Sequence, residues 1–524
     1  MKRMKRIMAL MLAAIMMMAM SVTAFAAEGA GTHTLTVNAK GGQDLKGQTI
    51  NLYKLFDVTE SGEGQNKNYA YTVNETYKKA LASVLNIDET SKDEDFAAAV
   101  TKLGADNTTG VQNFANTFTT KALEGKLAAT ATSGKITEDS NKTSYTFNNL
   151  TAGYYLVYVT GGKEIQSSLV TVDADTTTVD LKTEAPSIEK KADKTTVNIG
   201  DVVTYTVNGS IPDTTGYDQY QYIIHDELST GLDFVNDAKG AALGEAATTV
   251  NVTVAFGSGV TDAGTAPTSA KLDDTNKRKM SLDLSEWVRA NQTNNKGKEF
   301  TVTYYAKVNK NAVVTEKNKA QLEYGNKPDE TTTTTPSEAK TPTYPLDILK
   351  IKKGTEEILE GAHFTLFAST IDGAIDESKP IKVTKDADGK YSYAADQTST
   401  DSSVITDMVT IATKFEGTGY NLHINGLATG TYYLKETKAP DGYNKLTEAI
   451  KVTITKSTTA DENDWTLTVD KGMVDGKIVK VENSTGSILP STGGRGAIAF
   501  AVIAALLVFG VAVSYIRDKR KEAK

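Results

Sequence analysis

The sequence predicts a mainly β protein, a tandem of β-sandwich domains set between two ends of different character. Three observations predict it. Short runs rich in Val, Ile, Tyr and Thr alternate with period two and are separated by Gly, Asn and Asp turns, the pattern of half-buried strands. Val202 to Val207, Phe300 to Val308 and Ala449 to Thr455 are the clearest of them. One stretch, Thr76 to Leu123, instead places apolar residues at helical spacing (Tyr77, Leu81, Val84; Phe96, Val100, Leu103; Val111, Phe114, Phe118), which predicts two or three short helices inserted in the first domain. Finally, 524 residues leave room for about three domains.

Composition places the boundaries. Thr183 to Pro186 interrupts the strand pattern, and Lys327 to Pro345 holds a run of five Thr and four prolines, as expected of an extended connector. The expected domains are therefore 30–184, the first sandwich with its helical insertion, then 185–335 and 343–486.

Charge and residue types exclude several functions. The chain carries 57 Lys and Arg against 65 Asp and Glu, a net charge of −8, and both ends are net basic, so the part between them is more acidic still. So acidic a body argues against nucleic-acid binding, which needs basic patches. The absence of cysteine rules out disulfides, thiol nucleophiles and Cys-ligated zinc. The four histidines, His33, His225, His363 and His423, are far apart in sequence. No cofactor and no metal are expected. Asp386-Ala387-Asp388-Gly389 looks like the start of a calcium loop, but no Glu closes the pattern, so a hairpin turn is expected there. His225 and Asp226 lie on opposite strand faces with no serine nucleophile motif nearby, which predicts no triad. The chain is read as a structural protein, not an enzyme.

The ends set a destination. Residues 1–26 combine a basic start (Lys2 to Arg6), an apolar run (Ile7 to Met20) and small residues at Ala24-Phe25-Ala26, the three parts of a secretory signal peptide. Residues 497–516 form an uncharged, mainly apolar run long enough to span a bilayer as a helix. The basic tail at 517–524 keeps that end cytoplasmic.

Strand parity then singles out buried charge, because alternate side chains face opposite ways. Lys350 shares a face with Leu346 and Ile348, Glu436 with Tyr432 and Leu434, and Asn483 with Val479 and Val481. In the middle domain Lys190 falls with Ile188, Asp226 with Tyr222 and Ile224, and Asn318 with Ala320, Leu322 and Tyr324. Each domain thus aims one amine, one carboxyl and one carboxamide at its core. Unpaired buried charge is costly, and a Lys and an acid forced into one apolar site tend toward their neutral forms. A neutral amine is a nucleophile. Its attack on the Asn side-chain carbon would expel ammonia and leave a Lys–Asn isopeptide bond, a single-turnover self-reaction in which Asp226 or Glu436 supplies the acid chemistry.

These residues carry a resemblance. Leu489-Pro490-Ser491-Thr492-Gly493, followed by an apolar run and a basic tail, resembles the LPXTG sorting signal of Gram-positive surface proteins. Gly430 to Thr437 with Ala439-Pro440-Asp441-Gly442-Tyr443, and Leu359 to Phe364, resemble a CnaB-type isopeptide domain. Pro186 to Lys190, Ile199-Gly200-Asp201, and Asp226 ahead of Leu228 to Leu232 resemble the fimbrial, CnaA-like domain of backbone pilins. The resemblance implies tandem Ig-like sandwiches and the bonding trios Lys190/Asp226/Asn318 and Lys350/Glu436/Asn483. It also implies a sortase that cleaves after Thr492 and joins its carboxyl to an amine on a neighbouring pilin subunit or on peptidoglycan. The protein would then be secreted and wall-anchored in an extracellular pilus, the shaft subunit of a fimbria that supports cell adhesion and contacts a host surface ligand. The other reading left open is a monomeric wall-anchored adhesin or a minor pilin.

The first domain departs from the pattern. Tyr158 stands where the acid-bearing strand should carry Glu, and Lys40 has the parity of a solvent-facing residue, so no internal bond is expected there. Lys182, opposite in parity to Val179 and Leu181, occupies the place of the family's polymerisation lysine, although Asp180-Leu181-Lys182-Thr183 keeps only the Lys of the usual Tyr-Pro-Lys-Asn.

Overall fold

The computed structural model describes residues 32–486 and 495–522, apart from short stretches at 42, 44, 62–67, 107, 139–142, 161, 163–164, 166, 174–176, 183, 215–218, 261, 326–330 and 460. The signal peptide expected at 1–26 and the sorting motif Leu489 to Gly493 lie outside the described residues. The chain forms two compact units, Met1–Pro342 and Thr343–Lys524.

In the first unit the strand His33–Asn38 pairs antiparallel with Ser144–Leu150 and parallel with Thr178–Asp180. The second sheet of this sandwich is built around Thr49–Ser61 and Gly153–Val159. Leu35 and Val37 from one sheet meet Ile50, Leu52, Tyr155 and Val157 from the other in a closed core. The stretch read as helical forms three helices, Lys78–Leu85, Asp93–Asp106 and Thr108–Glu124. Their buried faces (Leu81, Phe96, Phe114, Phe118) pack on Tyr53, Phe56 and Tyr158. The periodicity is therefore satisfied by a second apolar layer on the sheet.

Residues 189–340 make another pair of sheets. One runs in the order Leu232–Val235, Glu299–Val308, Val202–Ser210 and Glu189–Ala192. The other places Gln221–Leu228 between Lys279–Asp283 and Lys317–Gly325. Two features differ from the sequence reading. Ser285–Asn295 is a helix, anchored by buried Trp287, Val288, Asn291 and Asn295; the run is short and mostly polar, so its pattern is faint. The expected connector also pairs instead of hanging free. Thr331–Thr333 and Ser337–Lys340 both add to Lys317–Gly325. Threonine favours strands, and proline is tolerated where an edge needs no donor.

In the second unit one sheet holds Tyr344–Lys352 between Leu422–Leu427 and a parallel neighbour, Ile478–Asn483. The facing sheet carries His363–Ser369, Gly430–Lys438 and Ile450–Lys456. Val383–Ala387 and Lys390–Tyr393 form the expected hairpin at Asp388-Gly389, with Gly389 at φ 71° and Lys385 paired to Asp388 at 2.7 Å. The run at 497–516 falls on the helix Arg495–Glu522, where Leu506, Leu507, Phe509 and Val511 are exposed. Among the described residues no helix is long and apolar enough to cross a membrane, so the span stays an expectation from the sequence.

Gly231 marks a tight point in the first unit. A Cβ there would lie 2.4 Å from the Ala312 Cα and 2.5 Å from the Glu316 Cδ. Glu316 cannot step aside, because its buried carboxylate accepts hydrogen bonds from Gly231 N at 3.1 Å, Val313 N at 3.2 Å and the Ser229 hydroxyl. Gly231→Ala is therefore expected to cost about 1–3 kcal/mol. Urea titration checks this: the first unit's midpoint falls and the second unit's stays put.

Candidate functional site: two sealed Lys–acid–Asn clusters

Lys190 enters the middle core from the edge strand Glu189–Ala192, where alternation leaves it inward between outward Glu189 and Lys191. Asp226 and Asn318 come from adjacent strands of the opposite sheet, in register at Asp226–Ala320 and Leu228–Asn318. The Lys190 Nζ lies 2.6 Å from Asp226 Oδ2, and neither side chain is exposed to water. The amine sits 4.7 Å from the ring centres of both Tyr205 and Tyr304. The Tyr304 hydroxyl accepts from Lys190 Nζ, donates to Asp226 Oδ2, and accepts from Asn318 Nδ2 at 3.3 Å. Among the described residues Asp226 Oδ1 and Asn318 Oδ1 have no partner. Burial pushes the Lys190 amine down from its usual range and the Asp226 carboxyl up, the pairing between them opposing both shifts.

The second unit repeats the chemistry with different wiring. Lys350 and Asn483 stand on neighbouring parallel strands, with Lys350 opposite Val481 and Lys352 opposite Asn483. Glu436 reaches them from the facing sheet, where its partner is Phe364. Lys350 Nζ lies 3.2 Å from Glu436 Oε1, off the line of a hydrogen bond, with both side chains fully enclosed. The Phe364 ring centre is 5.9 Å from the same amine. Glu436 Oε2 accepts from Asn483 Nδ2 at 2.9 Å and from Leu446 N at 2.7 Å. Asn483 Nδ2 also donates to the Asn444 carbonyl. Burial lowers the Lys350 amine to about 8, against the pull of Glu436. A minority of the amine is then neutral near physiological pH, far more than in an ordinary lysine.

Both trios thus converge, and strand parity was sufficient to find their charged members. Tyr304 and Asn444 were missed. Tyr304 shares the inward parity of Phe300, Val302, Ala306 and Val308, so it reads as ordinary core. Asn444 lies in a loop, where parity has no meaning. Ser337, in the supposed connector, accepts from Lys190 N at 2.9 Å through its hydroxyl, so that segment bridges the Lys190 strand and the Asn318 strand.

In the first sandwich Lys40 is exposed and paired with Glu184, and Tyr158 is buried among aromatic side chains. Lys182 is exposed, its amine donating to Gln112 Oε1 at 2.9 Å. His225 and Asp226 do point to opposite faces: His225 meets Ser281 Oγ at 2.9 Å and Glu323 Oε2 at 2.7 Å on the outer surface. Those contacts lie on the face of the sheet opposite the Lys190 cluster.

Residues 345–468 match the family model described as SpaA, a prealbumin-like fold domain. That segment of the chain is SpaA-like. Among solved structures, the major pilin SpaA of Corynebacterium diphtheriae is 17% identical at a TM-score of 0.42, covering 86% of this chain and 100% of that one. The T6 backbone pilin of serotype M6 Streptococcus pyogenes is 17% identical at 0.41, covering 88% and 100%. The pilus 2b backbone protein of group B streptococcus is 24% identical at 0.37, covering 58% and 99%. No curated protein sequence matches the chain.

The lowered Lys350 amine has a thermodynamic signature. Asn483→Ala retains Lys350 and Glu436 but removes the carboxamide that the amine can attack. Its unfolded form binds the lysine proton more tightly than its folded form, so stability rises with pH above about 8 and levels off in the usual lysine range. Unfolding midpoints across that range check the sign, and Asn483→Ala with Lys350→Met should lose the slope.

Proposed function

We propose that the chain is the structural shaft subunit of a sortase-polymerised cell-surface pilus, stiffened by two self-formed Lys–Asn isopeptide bonds. The observation that carries this reading is the pair of sealed clusters, each bringing an amine, a carboxyl and a carboxamide together from strands far apart in sequence. In each, the Lys nitrogen bonds to the Asn side-chain carbon and the amide nitrogen departs as ammonia. Asp226 and Glu436 take and return protons. Nothing external is consumed, so the reaction needs no cofactor.

The bonds differ in what they would fasten. Lys190–Asn318 would cross between the two sheets of the middle sandwich, whereas Lys350–Asn483 would tie neighbouring parallel strands of one sheet. They close loops of 129 and 134 residues. By analogy with disulfides, closing such a loop stabilises by ~5 kcal/mol in the chain-entropy model. Under tension the early and late strands would share load through a covalent link. A chain without cysteine gains its cross-links without redox chemistry.

Polymerisation adds the remaining parts. The sorting signal Leu489 to Gly493 is the donor, through Thr492, and the exposed Lys182 amine supports its reading as acceptor. Cleavage by sortase would transfer Thr492 to Lys182 of the next subunit and finally to peptidoglycan, leaving the chain extracellular and wall-anchored.

Intact mass tests the internal bonds: the purified ectodomain should be lighter than its sequence by two ammonia molecules. Glu436→Ala and Asp226→Ala should each restore one. Polymerisation is tested separately, by boiling wall extracts in detergent and blotting. A ladder of covalent multimers that Lys182→Ala abolishes is expected, and a single wall-bound band would support a monomeric adhesin or minor pilin instead.

A further inference from the structure

The two clusters solve one problem differently. When an amine displaces an amide nitrogen, one proton must leave the attacking nitrogen and one must join the departing nitrogen. In the second unit the departing Asn483 Nδ2 touches Glu436 Oε2 directly. In the middle sandwich Asn318 Nδ2 donates to the Tyr304 hydroxyl at 3.3 Å, while the Asn318 side chain also lies close enough to Asp226 to favour its charged form. That hydroxyl also accepts from the attacking Lys190 Nζ and donates to Asp226 Oδ2. One oxygen atom therefore contacts the nucleophile, the leaving group and the acid.

We propose that Tyr304 is a catalytic residue of the Lys190–Asn318 reaction, its hydroxyl relaying the proton from the attacking amine to the departing ammonia. This rests on the isopeptide reading above and deepens it. The Lys190 ammonium first yields its extra proton to Asp226, its neighbour at 2.6 Å. The neutral amine then attacks the Asn318 Cγ, and the Nζ–Cγ bond forms. Tyr304 takes a proton from Nζ and gives its own to Nδ2, the Cγ–Nδ2 bond breaks, and ammonia leaves. Tyr304 ends as it began, Asp226 keeps the proton it took until solvent or the departing ammonia accepts it, and the products are one secondary amide and one ammonia. Burial holds the Tyr304 hydroxyl well above its usual range, so it serves as a conduit and not as a standing base. Its ring is fixed by Tyr205 at 5.9 Å and Phe234 at 6.0 Å between centroids, which keeps the hydroxyl on station.

The test follows the mass of the whole ectodomain from synthesis onward, with the Lys350–Asn483 bond as internal control. Tyr304→Phe keeps the ring and removes the relay. It should form the control bond on the wild-type schedule while the middle bond slows by ~10²-fold or more, as expected for loss of general acid–base help. The slowed reaction should also become steeper in pH, because it must then wait for proton exchange with water. A merely structural defect would slow it equally at every pH. Should Tyr304→Phe fail to fold, 3-fluorotyrosine at position 304 keeps size and hydroxyl while raising acidity, and a changed rate is expected. Middle-bond formation at the wild-type rate in Tyr304→Phe, or an unaltered rate with fluorotyrosine, overturns the relay and leaves the isopeptide reading intact. Absence of the middle bond from the wild-type protein, with Asp226→Ala identical to it in cross-linking, overturns both.

Discussion

A lysine amine and a carboxyl sealed together in an apolar core is the interaction on which this molecule turns. Such a pair is expensive to bury, and its Coulomb attraction recovers the cost only when geometry and further hydrogen bonds are good. Neither cluster is fully satisfied. Lys350 Nζ and Glu436 Oε1 approach without a hydrogen bond, and the carboxamide oxygens of Asn318 and Asn483 have no partner among the described residues. A core kept only for stability would replace these groups with apolar ones. On the isopeptide reading proposed above, forming the bond removes the charge altogether.

The first sandwich shows the alternative solution. Where a carboxyl would stand, Tyr158 is buried in the apolar core that supports the three inserted helices, in which Tyr53, Tyr77 and Phe118 pack ring against ring. Its candidate lysine stays outside, paired with Glu184. Stability there comes from apolar burial and ring packing, and an exposed amine, Lys182, lies just beyond the closing strand. The chain thus separates inward amines, enclosed with a carboxyl and a carboxamide, from the exposed amine of Lys182.

The clusters also differ in how they hold the Asn side-chain nitrogen. In the middle sandwich an aromatic hydroxyl from the Lys190 sheet does so; in the second unit, a carboxylate and the Asn444 carbonyl. Asn444 also binds the strand's exit, its N–H to Ser484 O and its side chain to Gly486 O. The second cluster is thereby linked to the segment that leads toward Leu489 to Gly493.

Alternation by itself determined which Lys, acid and Asn face inward, because a strand in a two-layer sandwich has only two faces and one is apolar. Helical spacing likewise determined the insertion in the first sandwich. Only tertiary structure decided the rest. Tyr304 is indistinguishable from core until two sheets close around it, and Asn444 acts from a loop with no periodicity. The Thr- and Pro-rich run at 331–340 looks like a tether until an open sheet edge offers it partners. Periodicity reports which way a side chain points, but not what it meets across the core, and chemistry between strands depends on the meeting.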